Sequence, residues 1–171
     1  ESGAAYPCAC TRSQLAQVSR NHEGKIVYPG TCRNGLPPGA VARAWRVRVP
    51  DLNTPFHDRI QGDLQQNLAH EVGDFIVKRA DGLFAYQLAV VVDDAAQGVT
   101  EVLRADDLLP STPRQLLLYA ALGWRPPQFA HVPLVVGADG LRLAKRHGDT
   151  SLRWFRDQGV PAAKVVGYLA F

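Results

Sequence analysis

Cysteine is scarce and ends early: the 171 residues hold three, at Cys8, Cys10 and Cys32, and none beyond. That excludes a disulfide framework, because Cys8-x-Cys10 would close a badly strained ring and Cys32 can pair with only one of the two. No N-terminal signal segment is recognisable, and so few thiols suit a reducing cytoplasm, where they persist as thiolate ligands or buried residues. No apolar run approaches the roughly 20 residues of a membrane span, so no membrane partner is expected. Internal repeats and low-complexity tracts are missing too. Net charge is only +3, but it is uneven: residues 1–50 carry seven Lys/Arg against two Asp/Glu, and residues 51–171 carry twelve against fourteen. A basic appendage on a near-neutral body invites a polyanion, or is simply a solvated basic face.

What is there begins with the cysteines themselves. Clustered at the start among Ala, Thr, Arg, Gly and Asn, they point to a bound metal that folds a segment with little core of its own; the alternative is three unliganded thiols on a flexible arm. Zinc is the natural ion, since thiolates bind it tetrahedrally and three of them need one further donor. His22 and Tyr28 are the candidates for that place. Imidazole is the commoner ligand, whereas a phenol must lose its proton with help from the cation, so spacing alone favours His22.

At 46% hydrophobic residues the chain has enough apolar material for one ordinary domain with at most a small appendage. Pro29, Gly30, Gly35, Pro37, Pro38 and Gly39 close the metal segment. Alternation over Ala44 to Val49 predicts a half-buried strand with Arg46 and Arg48 outward. Phe75 to Arg79 reads as a strand, Asp81-Gly82 as a tight turn, and Leu83 to Val92, apolar on both faces, as a strand inside a layered structure. Thr100 to Asp107 reads as a short helix. Thr112 to Leu122 reads as a stronger one, with Thr112 as N-cap, Pro113 at the first helical position and Gly123 as the stop. His131 to Val136 is a further strand, Ala138-Asp139-Gly140 a turn, and Thr150 to Gln158 a helix. Short strands interleaved with helices predict an α/β layered sheet.

A second constellation is Leu141-Arg142-Leu143-Ala144-Lys145-Arg146-His147-Gly148. Three cations within five residues can close over phosphates, with Lys145 as a point charge and the guanidiniums as forked donors. An exposed basic hairpin would look the same.

Taken together the segments resemble one family. Tyr6-Pro7-Cys8-x-Cys10, Tyr28-Pro29-Gly30-Thr31-Cys32, Phe56-His57-Asp58-Arg59-Ile60-Gln61-Gly62, the run from Asp81 to Asp94, Gln97 to Arg104, and Arg142 to Arg146 are similar to the glutamyl-queuosine tRNA(Asp) synthetases. These are truncated relatives of glutamyl-tRNA synthetase without an anticodon-binding domain. The resemblance runs from Tyr6 to about Leu169. It implies an α/β fold that is the distal half of a Rossmann-like class I synthetase catalytic domain, with a zinc-binding insertion and a helical C-terminal segment. Residues 1–50 would be the zinc-binding segment. Residues 51–171 would be the distal catalytic fold, with its signature loop and the start of a helical stem-contact region.

The resemblance also implies roles. Cys8, Cys10, Tyr28 and Cys32 match the family's ligands of a structural Zn2+, which replaces His22 by Tyr28. Tyr86 and Arg104 match the positions that hold glutamate, and a phenol with a forked guanidinium suits an acidic amino acid. Arg142, Leu143, Ala144, Lys145 and Arg146 match the mobile second signature, usually written Lys-Met-Ser-Lys-Ser, and Lys145 keeps the lysine that meets ATP phosphates. The implied activity is ATP-dependent activation of glutamate, with Mg2+ on the ATP, and its transfer to queuosine at the wobble position of tRNA(Asp), whose anticodon stem-loop is the partner. The family's first signature, a His-x-Gly-His-like element expected well before the zinc segment, does not occur. On the resemblance the sequence therefore reads as a C-terminal part, inactive by itself. It is expected to associate with the N-terminal half or with itself through an open sheet edge. The alternatives are a non-catalytic zinc-containing RNA-binding module and a fragment of a glutamyl-tRNA synthetase.

Overall fold

The computed structural model describes residues 3–18, 20–21, 24–137, 140–143 and 151–169. The chain divides into two compact units, Glu1–Arg104 with Leu108–His131, and Ala105–Asp107 with Val132–Phe171.

In the first unit, strands β1 (Ala5–Cys8), β2 (Ala44–Val47) and β5 (Ile76–Lys78) form an antiparallel sheet in the order β1-β2-β5. Among the described residues between β1 and β2 there is one short helix, α1 (Arg12–Ala16), held by a Thr11/Gln14 capping box. β3 (Asn53–Asp58) and β4 (Gly62–Asn67) form a hairpin that α2 (Leu68–Glu71) follows directly. This hairpin belongs to a second sheet, ordered β4-β3-β7-β6, with β6 at Glu101–Ala105 and β7 at Gln128–Val132. β3 and β7 run parallel, with Asp58 opposite Phe129. Two longer helices, α3 (Tyr86–Ala96) and α4 (Thr112–Leu122), contribute Val91, Leu118 and Tyr119 to a core completed by Val47, Val49, Leu68, Phe75 and Val77. The second unit carries α5 (Leu152–Asp157), capped by Ser151, and α6 (Ala162–Leu169). Among the described residues no helix is long and apolar enough to cross a membrane.

The layered α/β reading holds, and five local expectations change. Leu83 to Val92 is not a strand: Phe84 makes one bridge to Lys78, and from Tyr86 the chain winds into α3. An all-round apolar run fits either element, and packing against α4 outweighs the small helix cost of the valines. Thr100 to Asp107 is instead strand β6 followed by a 3-10 turn over Asp106–Ser111, because pairing in the second sheet overrides local helix preference. The strand expected over His131 to Val136 lies earlier, at Gln128–Val132, where Pro133, which lacks an N–H, follows it.

The fourth correction is local. Val47 and Val49 are buried as expected, but Trp45 is exposed and Arg46 only 5% exposed, the reverse of the expectation for those two, and the ladder to β5 is irregular between them. Arg46 turns inward because its hydrogen-bond partners are there. α4 starts where expected and stops at Gly123, which takes φ +70°, but its N-cap is Ser111. Thr112, wholly buried, spends its hydroxyl elsewhere. The Ala138-Asp139 turn and Thr150 lie outside the described residues.

Candidate functional site

β1 delivers Cys8 and, two residues on, Cys10; the turn after Pro29 delivers Cys32. The three Sγ atoms all lie within 4.8 Å of one another, with Cys10 and Cys32 3.7 Å apart. The Tyr28 hydroxyl oxygen stands 3.4 Å from Cys8 Sγ and 3.7 Å from Cys10 Sγ, and accepts the Cys32 N–H at 3.0 Å. Zn–S bonds of about 2.3 Å and a Zn–O bond of about 2.0 Å would make tetrahedral edges of about 3.8 and 3.5 Å. The observed separations fit such an ion, so these residues can hold a metal. His22 lies outside the described residues.

The polar surroundings divide the four donors. Burial opposes ionisation of Cys8, yet hydrogen bonds from Tyr28 and Arg46 prevail and bring its thiol down to about 7. Burial raises the Cys10 thiol, and burial followed by the hydrogen bond to Cys8 raises the Tyr28 phenol. A cation is what would bring the latter two down. Arg46 supports the cluster from inside: Nε donates to Cys8 Sγ at 3.3 Å, Nη1 donates to the Asp74 carbonyl at 2.6 Å, and the guanidinium lies over the Tyr28 ring. The buried Asp74 carboxylate accepts from Tyr6 Oη at 2.5 Å, Arg33 Nη1 at 2.6 Å and the Val49 N–H at 2.7 Å.

The second cluster is built at the C-terminal ends of three strands of the four-stranded sheet, β3, β6 and β7. Arg104 on β6 donates from Nε to His131 Nε2 at 2.9 Å and from Nη2 to Thr112 Oγ1 at 2.9 Å. His131 on β7 is wholly buried, and its Nδ1 meets Asp58 Oδ2 of β3 at 2.6 Å. Asp58 Oδ1 accepts the N–H groups of Ile60, Gln61 and His131 at 3.0, 2.9 and 3.1 Å. Burial lowers Arg104 from its ordinary value, while Tyr86, Asp94 and Asp58 act to keep it charged. Tyr86, at the first turn of α3, is half exposed. The arrangement offers a held cation and a phenol, which can grip a carboxylate.

Of the basic loop, Arg142 and Leu143 are described. Leu143 N–H donates to the Val135 carbonyl, and Arg142 pairs with Asp107 Oδ2 at 2.8 Å on the surface. Ala144, Lys145 and Arg146 lie outside the described residues.

Sequence reading had no role for Asp58, His131, Arg46 or Asp74. Asp58 stood inside the motif Phe56 to Gly62, the one available signal. His131 looked like any strand residue and Arg46 like a surface charge.

The family model described as "tRNA synthetases class I (E and Q), catalytic domain" matches residues 1–171. The chain is 68% identical over 144 residues to a protein of Thiobacillus denitrificans named glutamyl-Q tRNA(Asp) synthetase, covering 84% of this chain and 48% of that one. It is 54% identical over 145 residues to the protein of that name from Chromobacterium violaceum, covering 85% and 49%. The chain thus spans about half the length of these curated relatives. Among solved structures, the glutamate-tRNA synthetase of Elizabethkingia anophelis superposes with a TM-score of 0.69 at 28% identity, over 85% of this chain and 33% of that one. With the family model matched from end to end, the chain belongs to the catalytic-domain family of the class I tRNA synthetases for glutamate and glutamine.

Proposed function

We propose that this chain serves in a glutamyl-Q tRNA(Asp) synthetase, which activates glutamate with ATP and transfers it to queuosine at the wobble position of tRNA(Asp). The observation that carries the reading is the 68% identity to the Thiobacillus denitrificans relative of that name. The buried support of Arg104 is consistent with it.

In this reading Arg104 and Tyr86 bind glutamate, the guanidinium by its charge and its Nη1 donors and the phenol by a single hydrogen bond. A carboxylate oxygen of glutamate attacks the α-phosphorus of ATP; the bond from that phosphorus to the pyrophosphate oxygen breaks, and pyrophosphate leaves. Lys145 and its neighbours Arg142 and Arg146 stabilise the charge that builds on the departing phosphates. A hydroxyl of the queuosine cyclopentene ring then attacks the acyl carbon, giving up its proton as AMP departs. ATP arrives with Mg2+. Cys8, Cys10, Tyr28 and Cys32 hold a structural zinc, which supplies a cross-link and no step of the reaction. The tRNA(Asp) anticodon stem-loop is the macromolecular partner, and the excess of cations over residues 1–50 suits it.

The test is ATP-dependent incorporation of radiolabelled glutamate by the protein carrying this chain, offered tRNA(Asp) with and without queuosine. Label on the queuosine-containing tRNA alone supports the reading. Label on tRNA(Glu) instead would assign a glutamyl-tRNA synthetase. RNA binding that weakens steeply with salt, with no response to glutamate and none to Arg104→Ala, would assign a non-catalytic RNA-binding module.

A further inference from the structure

We infer that Asp58 and His131 are positioning residues that hold the Arg104 guanidinium oriented and fully charged for a substrate carboxylate. The inference rests on the reading of Arg104 as a glutamate-binding residue and adds two residues to it.

The chemistry of the donors decides the protonation. A guanidinium has no acceptor, so the contact of Arg104 Nε with His131 Nε2 at 2.9 Å requires a lone pair on that nitrogen. The imidazole proton therefore sits on Nδ1 and points at Asp58 Oδ2, 2.6 Å away. Three backbone N–H groups on Oδ1 keep the Asp58 carboxylate anionic and fixed. Both side chains are 0% exposed, so neither has water as an alternative partner. Thr112, also 0% exposed, takes Nη2, and the fork is thereby clamped by two of its three nitrogens. Nη1 takes no part in either clamp.

Interposing the imidazole matters. A carboxylate bonded directly to Arg104 would neutralise the guanidinium and compete with the substrate's own carboxylate. A neutral histidine, polarised by the carboxylate behind it, fixes the direction of Nε–H and leaves the positive charge available. Clamping also removes rotamer freedom before the substrate arrives, which an arginine beside the exposed Leu103 on β6 would otherwise lose on binding.

The test uses the 15N-labelled chain in solution. The wild type is expected to show a scalar coupling across the hydrogen bond between Arg104 Nε and His131 Nε2, and a shift of the Arg104 Nε–H resonance on adding glutamate. His131→Leu, with its remaining amide spectrum preserved, is expected to lose that coupling and to bind glutamate at least about tenfold more weakly. His131→Gln, which restores an acceptor near the Nε2 position, should recover most of the affinity. Lack of the coupling in the wild type overturns the inference whether or not the leucine variant folds. A folded His131→Leu, or a His131→Gln with its acceptor displaced, that binds glutamate as the wild type does would overturn it too. A wild type whose spectrum responds to glutamate no differently from Arg104→Ala overturns the glutamate reading itself, and the coupling then reports a structural hydrogen bond only.

Discussion

The Arg46 guanidinium stands 3.7 Å above the Tyr28 ring while its Nε donates to Cys8 Sγ at 3.3 Å, so one buried cation touches two members of the thiol cluster. Three thiolates and a phenolate around a dication would carry an excess negative charge that this guanidinium would offset. Arg46→Met should lower zinc affinity by about 10- to 100-fold, measured by competition with a chromophoric chelator. Arg46→Lys keeps the charge and loses the fork, and should fall between.

Tyr28→Phe removes one oxygen donor and leaves all three thiols. The Co2+-loaded variant should keep its sulfur-to-metal charge-transfer bands, alter the visible d–d bands that report tetrahedral coordination, and bind more weakly. An unchanged spectrum would remove Tyr28 from the ligand set. Saturating zinc at 1,000 times its Kd should stabilise the wild-type chain by about 4 kcal/mol, read as a rise in Tm that a chelator reverses.

Gly73 takes φ +69°, and a Cβ built there would stand 2.4 Å from the Tyr28 carbonyl oxygen and 2.8 Å from its nitrogen. Neither backbone atom can give way without moving the phenol. Gly73→Ala should destabilise the fold by at least about 2 kcal/mol in urea unfolding and weaken zinc binding together with it.

Asp58 titrates near 2. Burial alone would raise it, and the Gln61 N–H, the His131 ring and the N–H groups of His131 and Ile60 outweigh burial. A folded value below the unfolded one stabilises fully above about pH 4, and that stabilisation is lost as pH falls through about 2. The contribution is about 2 kcal/mol. The stability difference between wild type and Asp58→Asn, followed by urea unfolding from pH 6 to 2.5, should therefore shrink on the acid side.

Much of this was legible in the sequence where residues act locally. Cys8, Cys10 and Cys32 announced a cluster by type and spacing, and Pro113 with Gly123 marked α4 nearly to the residue. What escaped depended on distant partners. His131 acquires meaning only when β7 lies beside β3 and β6, 73 residues from Asp58 and 27 from Arg104. Arg46 faces inward because a sulfur and a carbonyl await it, which no alternation of residue types records. The run before Val92 was undecidable by period, since a surface apolar on all sides fits a strand or a helix equally.

Asp74 bears on the order in which the molecule can assemble. Its carboxylate and carbonyl reach Tyr6, Arg33, Arg46 and Val49 across 68, 41, 28 and 25 residues. Each of those contacts closes a long loop, whose entropy must be lost before the contact is made. The cysteine segment comes first along the chain, but its inner scaffold is delivered by a residue that follows β4 and α2. Its native packing therefore requires those long loops to close, unlike that of a zinc finger whose ligands and core lie within one short stretch.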